Sequence, residues 1–253
     1  MIYILLLLIA LCIILLIYMY KEAHLNIVKK HKFSFSSTQL EKPLRIFFIS
    51  DIHRRSIHPS IIDEVFDQVD LVIIGGDLVE KGVQLQRVEQ NIQKLRSLGP
   101  TYFVWGNNDN EIDKNILMAI FQKWDVHILK NTSTIIKHCK KEWALIGVDD
   151  LNTGNVDIDY SLQGVKEITF KILVSHNPKV MNVIPKEQKV SLVLSGHTHG
   201  GQIRFLDYGP YEKGKTHIFN GMTQLISNGY GTTTLPLRLN AKPETHYIII
   251  DSF

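Results

Sequence analysis

The 253-residue chain has very little cysteine, with only Cys12 and Cys139 present. Two cysteines are too few for a disulfide framework or for a zinc site built from thiolates. Any metal ion must therefore be held by histidine, aspartate, glutamate or asparagine. Dense blocks of lysine and arginine interleaved with aromatic residues are also missing, and the formal net charge is only +3. We therefore expect no nucleic acid among the partners.

Residues 1–20 lack any charged side chain. Twenty residues rising about 1.5 Å each reach about 30 Å, the thickness of the hydrocarbon core of a bilayer, so we predict a single-pass transmembrane anchor here. The alternative is a cleaved signal peptide, but no lysine or arginine precedes the apolar run and no Ala-x-Ala site ends it. Lys21, Lys29, Lys30 and Lys32 all follow the run. The positive-inside rule then places the rest of the chain in the cytoplasm, attached to the cell membrane.

Residues 21–43 are polar, rich in serine and without a clear period. This pattern predicts a juxtamembrane linker that lifts the globular part off the membrane. Residues 44–253 carry recurring hydrophobic runs, and the chain is long enough for one sizeable core. We therefore predict one domain over 44–253. The sequence carries no signal for an oligomeric state.

Short runs rich in β-branched and apolar residues recur through this domain, at 45–50, 71–74, 102–105, 144–148, 171–174 and 190–194. Helical patterns lie between several of them: one opens at Pro59, and another carries Val88, Ile92 and Leu95. Alternation of strands and helices predicts α/β layers with partly parallel sheets. After Gly201 the segments become shorter and richer in turns, which indicates an antiparallel portion. An α/β sandwich with mixed sheets accommodates both patterns.

Side chains that bind metals follow five of these runs, namely Asp51 and His53, Asp77, Asn107 and Asp109, His176, and finally His197 and His199. The carboxyl ends of strands are where sites form in open α/β sheets, so we expect these side chains to meet. A mixed set of aspartate, histidine and asparagine suits Mn²⁺, Zn²⁺ or Fe. Two such ions roughly 3.5 to 4 Å apart can acidify a bridging water to hydroxide, which attacks a phosphoryl group. This chemistry points to hydrolysis.

In this order the motifs resemble those of the calcineurin-like metallophosphoesterase family: Asp51-x-His53, Gly76-Asp77-x-x-Glu80, Gly106-Asn107-Asn108-Asp109, the lone His176, and Gly196-His197-x-His199. Each short motif is weakly specific, but the ordered set is strongly so. Gly200-Gly201-Gln202 and Leu235-Pro236-Leu237-Arg238 resemble the membrane-associated bacterial branch, which includes enzymes similar to UDP-2,3-diacylglucosamine pyrophosphatases.

The resemblance implies a four-layer α/β/β/α sandwich of two mixed β-sheets flanked by helices, here preceded by one transmembrane helix. It also implies two divalent metal ions, with Mn²⁺ as our first expectation and Zn²⁺ or Fe as alternatives. The ligands carried over by matching position are Asp51, His53 and His199 for the first ion, Asp77 as the bridge, and Asn107, His176 and His197 for the second. Glu80 and Asp109 would orient these ligands. The implied substrate is a phosphate-containing small molecule or lipid.

Asn108 departs from the family pattern, which has a histidine at this position that contacts the phosphate and can protonate the leaving group. An amide can donate a hydrogen bond but cannot supply a proton, so a contribution of about 10²- to 10⁴-fold must be absent or come from elsewhere. We therefore expect a substrate with a good leaving group, a phosphodiester or a pyrophosphate. The alternative is a catalytically weak, metal-binding interaction protein of the same fold.

Three arginines are further candidates for binding a substrate phosphate: Arg54, Arg55 and Arg238. For the first two, a solvated surface position is an equal alternative. The pair Asp149 and Asp150 follows a predicted strand, and we expect it to shape a loop rather than to bind metal.

Overall fold

The structure is a computed structural model that describes residues 1–35, 41–165, 167–168, 170–206 and 208–252. Five α-helices and twelve β-strands lie within these described residues. We number both kinds of element in chain order.

Helix α1 spans Ile2–Ala23. It forms because residues 2–23 include no glycine or proline and are dominated by leucine and isoleucine. Most of its side chains are exposed, but Met19, Glu22 and Ala23 near its end are buried against the rest of the chain. By length and composition, α1 is the one helix among the described residues that could cross a membrane.

The first sheet has six strands, in the order β1 (Val28–Phe35), β12 (Thr245–Ser252), β2 (Leu44–Ile49), β3 (Leu71–Ile74), β4 (Thr101–Phe103) and β5 (Val126–Ile128). Strands β2 to β5 run parallel to one another. Strand β12 is antiparallel to β2 and parallel to β1, so the sheet is mixed.

The second sheet also has six strands, in the order β10 (Lys215–Phe219), β11 (Met222–Ile226), β9 (Leu192–Ser195), β8 (Lys171–Val174), β7 (Lys141–Gly147) and β6 (Thr132–His138). The four inner strands are parallel, and the two edge strands pair antiparallel with their neighbours. The predicted antiparallel portion after Gly201 includes the hairpin of β10 and β11 and the pairing of β12 with β2.

The helices are α2 (Pro59–Val65), α3 (Leu85–Arg96), α4 (Lys114–Lys123) and α5 (Ile158–Ser161). Short 3₁₀ helices occupy Asn108–Glu111, Pro178–Asn182, Lys186–Gln188 and His199–Gly201. Helices α2, α3 and α4 pack on the outer face of the first sheet, while α5 and the 3₁₀ helix at Pro178–Asn182 pack on the outer face of the second.

Alternation of side chains along the strands builds this layering. Phe47 of β2 packs with the helices, and the next residue, Phe48, packs into the layer between the two sheets. Likewise Leu194 of β9 faces the layer between the sheets, whereas Val193 faces outward towards Leu162. The predicted four-layer α/β/β/α sandwich with two mixed sheets and a preceding apolar helix is confirmed.

The predicted linker over 21–43 needs correction in part. Helix α1 continues to Ala23, and β1 occupies Val28–Phe35 as an edge strand paired along its whole length with β12. The N–H of Arg238 also donates to the carbonyl oxygen of Met19 at 3.0 Å, so the domain lies against the end of α1 rather than being lifted away from it. Residues 36–40 of the predicted linker lie outside the described residues. The boundary at Leu44 stays a prediction.

Candidate metal centre

The predicted ligands lie together where the parallel strands of both sheets end. Asp51 follows β2 and Asp77 follows β3, while His176 follows β8 and His197 follows β9. The carboxyl ends of parallel strands share one edge of a sheet, and the two sheets are stacked so that both edges contribute. Asp51 and His176 are completely buried at this junction.

Five of the seven nominated ligands adopt left-handed backbone conformations, with φ between 50° and 71°: Asp51, His53, Asp77, His197 and His199. Aspartate and histidine tolerate this region better than most residues, but it remains uncommon. Such conformations persist where the surrounding structure imposes them, and they cluster at functional sites. Here they turn each side chain back over the ends of the strands.

Two glycines make room for the carboxylates. A Cβ atom on Gly106 would overlap the carboxylate of Asp77, and one on Gly196 would overlap that of Asp51. The backbone of these two loops can therefore approach the acidic side chains only because the residues are glycine.

The first donor group consists of Asp51, His53 and His199. The two imidazoles face each other through their Nε2 atoms at 3.1 Å. The Oδ1 atom of Asp51 lies 3.3 Å from Nε2 of His199. Asp77 borders the same group, with its Oδ2 atom 3.7 Å from Nε2 of His53.

The second donor group consists of Asp51, Asp77 and His176. The Oδ2 atom of Asp77 lies 3.2 Å from Nε2 of His176, whereas Oδ1 of Asp51 lies 4.0 Å from the same nitrogen. His197 joins this group through its Nδ1 atom, 3.1 Å from Nε2 of His176. The two histidines of the His-x-His motif therefore serve different groups, and both aspartates face both groups.

Asn107 provides a direct test of whether these residues fit a metal ion. Its side-chain oxygen is buried, and no described residue offers it a hydrogen-bond partner. A buried acceptor without a partner costs free energy unless something else satisfies it. A divalent cation bound by the adjacent donors would satisfy this oxygen.

The donor spacings also fit. Two atoms that each lie about 2.1 Å from one ion, at angles of about 90–109°, are about 3.0–3.4 Å apart. The 3.1 and 3.3 Å contacts of the first group and the 3.1 and 3.2 Å contacts of the second have this separation. Neutral imidazoles and carboxylates are suitable ligands for borderline divalent ions.

Contacts behind the donors fix their orientation. Nδ1 of His176 donates to the carbonyl oxygen of Gly75 at 2.9 Å, which leaves Nε2 free to face the centre. Nδ1 of His53 lies 3.0 Å from Oε2 of Glu80, which directs Nε2 of His53 inward in the same way.

Asp109 ties two of the loops together. It is fully buried and accepts hydrogen bonds from the backbone N–H groups of Asp77, Val79 and Gly106, at 2.8, 3.1 and 2.8 Å. Burial, and then the negative charge of Asp77, raise the pKa of Asp109 to about 7. Asp109 therefore holds the ligand loops in register and lies behind the donor atoms.

The electrostatics of the centre are dominated by its carboxylates. Burial alone would lower the pKa of His176, but the charge and hydrogen bond of Asp77 raise it to about 10. In contrast, burial and the neighbouring charges of His53 and Arg238 hold the pKa of His199 well below its ordinary value. Without a metal ion, a proton on His176 thus compensates the acidic charge, and a cation would replace that proton.

A cleft of about 420 Å³ opens over the donors. Asp77, Asn107, Asn108, His197 and His199 form its polar side, and its other lining side chains include Ile203, Tyr211 and Leu235. The side-chain Nδ2 of Asn108 donates to Glu111 at 3.2 Å, and its backbone N–H donates to Oδ1 of Asp77 at 2.8 Å. Asn108 therefore occupies a position from which it can contact a ligand in the cleft.

The arginine candidates lie elsewhere. Arg238 is completely buried, and its guanidinium donates to several backbone carbonyls, including those of His199, Ala241 and Gly231. It therefore braces the backbone of the ligand loop, and the expectation that it binds a substrate phosphate is wrong. Burial lowers the pKa of Arg238 to about 10.

The other two arginines are engaged with protein atoms. Arg55 donates to the carbonyl oxygens of His24 and Leu25 at the end of α1, at 2.8 and 2.7 Å, and its guanidinium stacks over the ring of Tyr230. Arg54 is largely exposed and forms an ion pair with Glu80. Neither residue lines the cleft over the donors.

The loop after β7 contains a contact that the sequence does not reveal. The carboxylates of Asp149 and Asp150 accept backbone N–H groups of their own loop, as predicted. This loop brings Nδ2 of Asn152 to 3.3 Å from Nε2 of His197, the nitrogen that points away from the donor group. No motif marks Asn152, because the contact depends on a loop conformation and not on a residue spacing.

Comparison with known proteins agrees with this geometry. Residues 44–201 match the model of the calcineurin-like phosphoesterase family, which covers more than half of the chain. The chain belongs to the calcineurin-like phosphoesterase family. It is therefore a metal-dependent phosphoesterase that uses divalent metal ions and acts on a phosphate-containing substrate.

Relatives of known sequence share most of the domain. The chain is similar to the protein YpbG of Bacillus subtilis, with 45% identity over 92% of this chain and 90% of the relative. It is similar to the phosphodiesterase YaeI of Escherichia coli, with 26% identity over 80% of each. It also resembles a bovine transmembrane protein with a metallophosphoesterase domain, with 27% identity over 83% of this chain and 53% of the relative.

Proposed function

We propose that this phosphoesterase is anchored in the membrane by α1, binds two divalent metal ions, and cleaves a phosphodiester or pyrophosphate bond of a lipid-linked substrate. The observation that carries the two-ion proposal is the pair of donor groups on either side of Asp77, whose Oδ2 atom lies within 3.7 Å of His53 and 3.2 Å of His176. A single structural ion would need only about four ligands in a closed site.

In this proposal Asp51, His53 and His199 hold the first ion, and Asn107, His176 and His197 hold the second. Asp77 serves both, because its Oδ2 atom lies 3.7 Å from Nε2 of His53 and 3.2 Å from Nε2 of His176. Oδ1 of Asp51 lies farther from His176, at 4.0 Å from its Nε2. When bound, two such ions lower the pKa of a water molecule and neutralise charge on phosphoryl oxygens. Mn²⁺ is our first choice, with Zn²⁺ or Fe as alternatives.

The residues of the cleft limit the bond that can be broken. Asn108 can donate a hydrogen bond through its amide but has no proton to give to a leaving group. The substrate must then have a leaving group that departs as an anion with little help, such as a phosphate or an acidic alcohol. Diesters of this kind and pyrophosphates meet the requirement better than alkyl monoesters do. The relative YaeI is named a phosphodiesterase, which agrees with this preference.

Membrane attachment supports a lipid-linked substrate. Helix α1 has the length and composition of a membrane span, and one relative is named as a transmembrane protein. Lys21, Lys29, Lys30 and Lys32 follow the uncharged stretch of α1, which favours a cytoplasmic domain. An enzyme held at a bilayer gains most from the attachment when its substrate lies in the same bilayer.

The test is an assay of the full chain in detergent after reconstitution with Mn²⁺, with Asp77→Asn as the blank and Asp63→Asn as the matched control. Asp63 is an exposed aspartate on α2, away from the donor groups. Substrates are a bis-aryl diester, an aryl monoester and a lipid-linked nucleoside diphosphate. We expect the parent to bind about two ions per chain and to hydrolyse the diester and the pyrophosphate. Asp77→Asn should lose metal binding and turnover, and Asp63→Asn should keep them. Equal rates for the parent and Asp77→Asn on every substrate would refute the enzymatic proposal.

A second candidate is a metal-binding interaction protein with weak turnover, and Asn108 is the observation that favours it. The same assay separates the two. An interaction protein would bind two ions per chain yet show no more turnover than Asp77→Asn.

A further inference from the structure

Large apolar side chains are exposed in one short segment next to the cleft. Phe205, Leu206 and Tyr208 are 77%, 68% and 82% exposed, and Ile203 and Tyr211 on either side are also exposed. Single exposed apolar residues are common, whereas a group of them marks an interaction surface. We call Phe205, Leu206 and Tyr208 the apolar tip.

The apolar tip forms a hydrogen-bonded turn. Phe205 and Tyr208 exchange backbone hydrogen bonds, each N–H donating to the other residue's carbonyl oxygen at 3.0 Å. Tight turns favour glycine, proline, asparagine, aspartate or serine. Leu206 instead adopts a left-handed conformation with φ of 55°, which is unusual for a bulky side chain. The requirements of the turn therefore do not explain the bulky apolar side chain at position 206, and a partner for the exposed group would.

The backbone places this turn beside the end of α1. The N–H of Arg204 donates to the carbonyl oxygen of Leu239 at 2.9 Å, and the N–H of the preceding Arg238 donates to Met19 of α1 at 3.0 Å. Leu235 links the same two places, because it lines both the cleft and a smaller groove formed with Ala23. The stretch 235–239 therefore contacts Arg204, which precedes the apolar tip, on one side and the end of α1 on the other.

Met19 lies within the uncharged stretch of α1, one residue before Tyr20. Because that stretch has the length of the hydrocarbon core, its end lies at the level where acyl chains meet lipid head groups. Backbone that contacts Met19 therefore lies at that level too, and tyrosine side chains such as that of Tyr208 favour this zone. We propose that the apolar tip docks into the membrane interface beside α1. The inference rests on the proposed membrane anchor.

Docking has a consequence for the cleft. Ile203 and Leu235 line the cleft together with the metal donors. Ile203 is close in sequence to the apolar tip, and Leu235 also lines the groove formed with Ala23 of α1. A docked tip would hold the mouth of the cleft at the level of the head groups. The ligand that fits is an amphiphile whose phosphate reaches the donors while its apolar part stays near the bilayer.

The test places tryptophan in the full chain, reconstituted into vesicles of phosphatidylcholine and phosphatidylglycerol. Some of the lipids carry bromine near the ester end of the acyl chains, and others carry it near the methyl end. Phe205→Trp should lose fluorescence to bromine near the ester end and shift its emission to shorter wavelength. Tyr208→Trp is a second reporter in case Phe205→Trp does not fold. The parent chain, with its three buried or half-buried tryptophans, is the blank.

Two further variants are controls. Phe66→Trp replaces an exposed aromatic residue after α2, where the chain returns to the start of β3 at the opposite end of the sheet from the donors, and it should not be quenched. Ala10→Trp lies in the middle of α1 and should be quenched by bromine near the methyl end.

The outcomes separate the two proposals. Quenching at 205 or 208 but not at 66 supports docking, whether or not the protein hydrolyses any substrate. Quenching at 10 with none at 205 and 208 overturns docking and keeps the anchor, and the tip then faces solvent, another protein or a second copy. If Ala10→Trp is not quenched, the proposed anchor and the proposed docking are both refuted.

Discussion

Asn108 is the residue that most strongly limits which leaving groups the substrate can have. It lines the cleft next to Asn107, and its backbone N–H orients Asp77 at 2.8 Å. A histidine at this position would keep the backbone contact and add an acidic group. We predict that Asn108→His raises turnover of alkyl phosphomonoesters by about 10-fold or more, within the general-acid range of up to about 10⁴-fold, and raises turnover of aryl diesters much less.

The measurement compares initial rates of parent and variant on an alkyl monoester and an aryl diester at equal metal occupancy. Asn115→His is the matched control, since Asn115 is exposed on the first turn of α4. An equal gain on both substrates would show that Asn108 does not select for the leaving group.

Arg238 is the second residue whose replacement has a specific expected effect, on stability and on metal binding. Its guanidinium holds backbone carbonyls around the ligand loop, among them that of His199. Lysine has fewer donors in a different geometry, so Arg238→Lys leaves several buried carbonyls without partners. We predict a loss of about 2–4 kcal/mol in the free energy of unfolding, together with weaker metal binding.

Denaturant unfolding and metal titration of Arg238→Lys test this, with Arg96→Lys as control because Arg96 is a half-buried arginine that pairs with Asp125 near α4. A variant with normal stability and metal affinity but a raised KM would instead restore the phosphate-binding role.

At the residue scale the sequence predicts that side chains following the strand ends meet, and the structure brings five of the seven nominated ligands into the two donor groups. The sequence does not predict burial. Arg238 looks like a phosphate ligand in the sequence, and only the packed loops reveal that its partners are carbonyls of its own chain. The sequence does not reveal the role of Asn152 for the same reason, since its contact with His197 joins two loops that are distant in sequence.

At the scale of elements, strands with continuous apolar runs are predicted within a few residues, as for β3 and β8. Strand β1 is not. From Lys30 onward its residues alternate between exposed and half-buried, and the strand includes three lysines, a pattern that protects an edge strand but resembles a polar linker. The pairing that makes it a strand is with β12, more than 200 residues away.

The contact between β1 and β12 includes a buried histidine. His246 of β12 has Nδ1 3.0 Å from Nε2 of His31, and Nε2 3.7 Å from Glu244. Burial, and then the positive charges of His31 and Lys29, hold the pKa of His246 well below its ordinary value of 6.5. The folded protein therefore keeps this imidazole neutral while the unfolded chain would protonate it below about pH 6.5.

Because the unfolded state binds the extra proton, His246 lowers stability as the pH falls below about 6.5 and has no such effect above it. The slope it contributes is at most about 1.4 kcal/mol per pH unit. We predict that His246→Gln loses stability less steeply than the parent between about pH 6.5 and about pH 5. Chemical unfolding at several pH values measures the two slopes, and His127→Gln, at an exposed position on β5, is the control. Parallel curves for parent and His246→Gln would contradict the prediction.

At the scale of the whole molecule, the apolar helix α1, the edge strand β1 and the candidate metal centre form one connected structure. Arg55 reaches from the loop after Asp51 to the carbonyls of His24 and Leu25, and β1 then continues into the sheet whose strand ends carry the donors. The sequence predicts an anchor and a domain but separates them by a linker, because local composition cannot show long-range pairing.

This connection predicts where the chain can be shortened. A chain that begins at Lys21 keeps the contacts of Arg55 and all of β1, whereas one that begins at Leu44 removes both. Strand β12 would then become an edge whose backbone groups lack the eight-residue pairing with Val28–Phe35. Unpaired edges of this length recruit other chains. We predict that the chain from Lys21 is monomeric and binds metal, and that the chain from Leu44 has a lower melting temperature and aggregates.

Thermal unfolding and light scattering of the two shortened chains, with and without Mn²⁺, make the comparison. A third chain from Lys21 with His31→Pro is the matched control, since proline removes a backbone donor within β1 without shortening the protein. If pairing of β1 is the cause, this control should behave like the chain from Leu44. Equal melting temperatures and equal scattering for all three would mean that β1 adds nothing to the sheet. The domain would then be complete from Leu44, as its composition alone predicts.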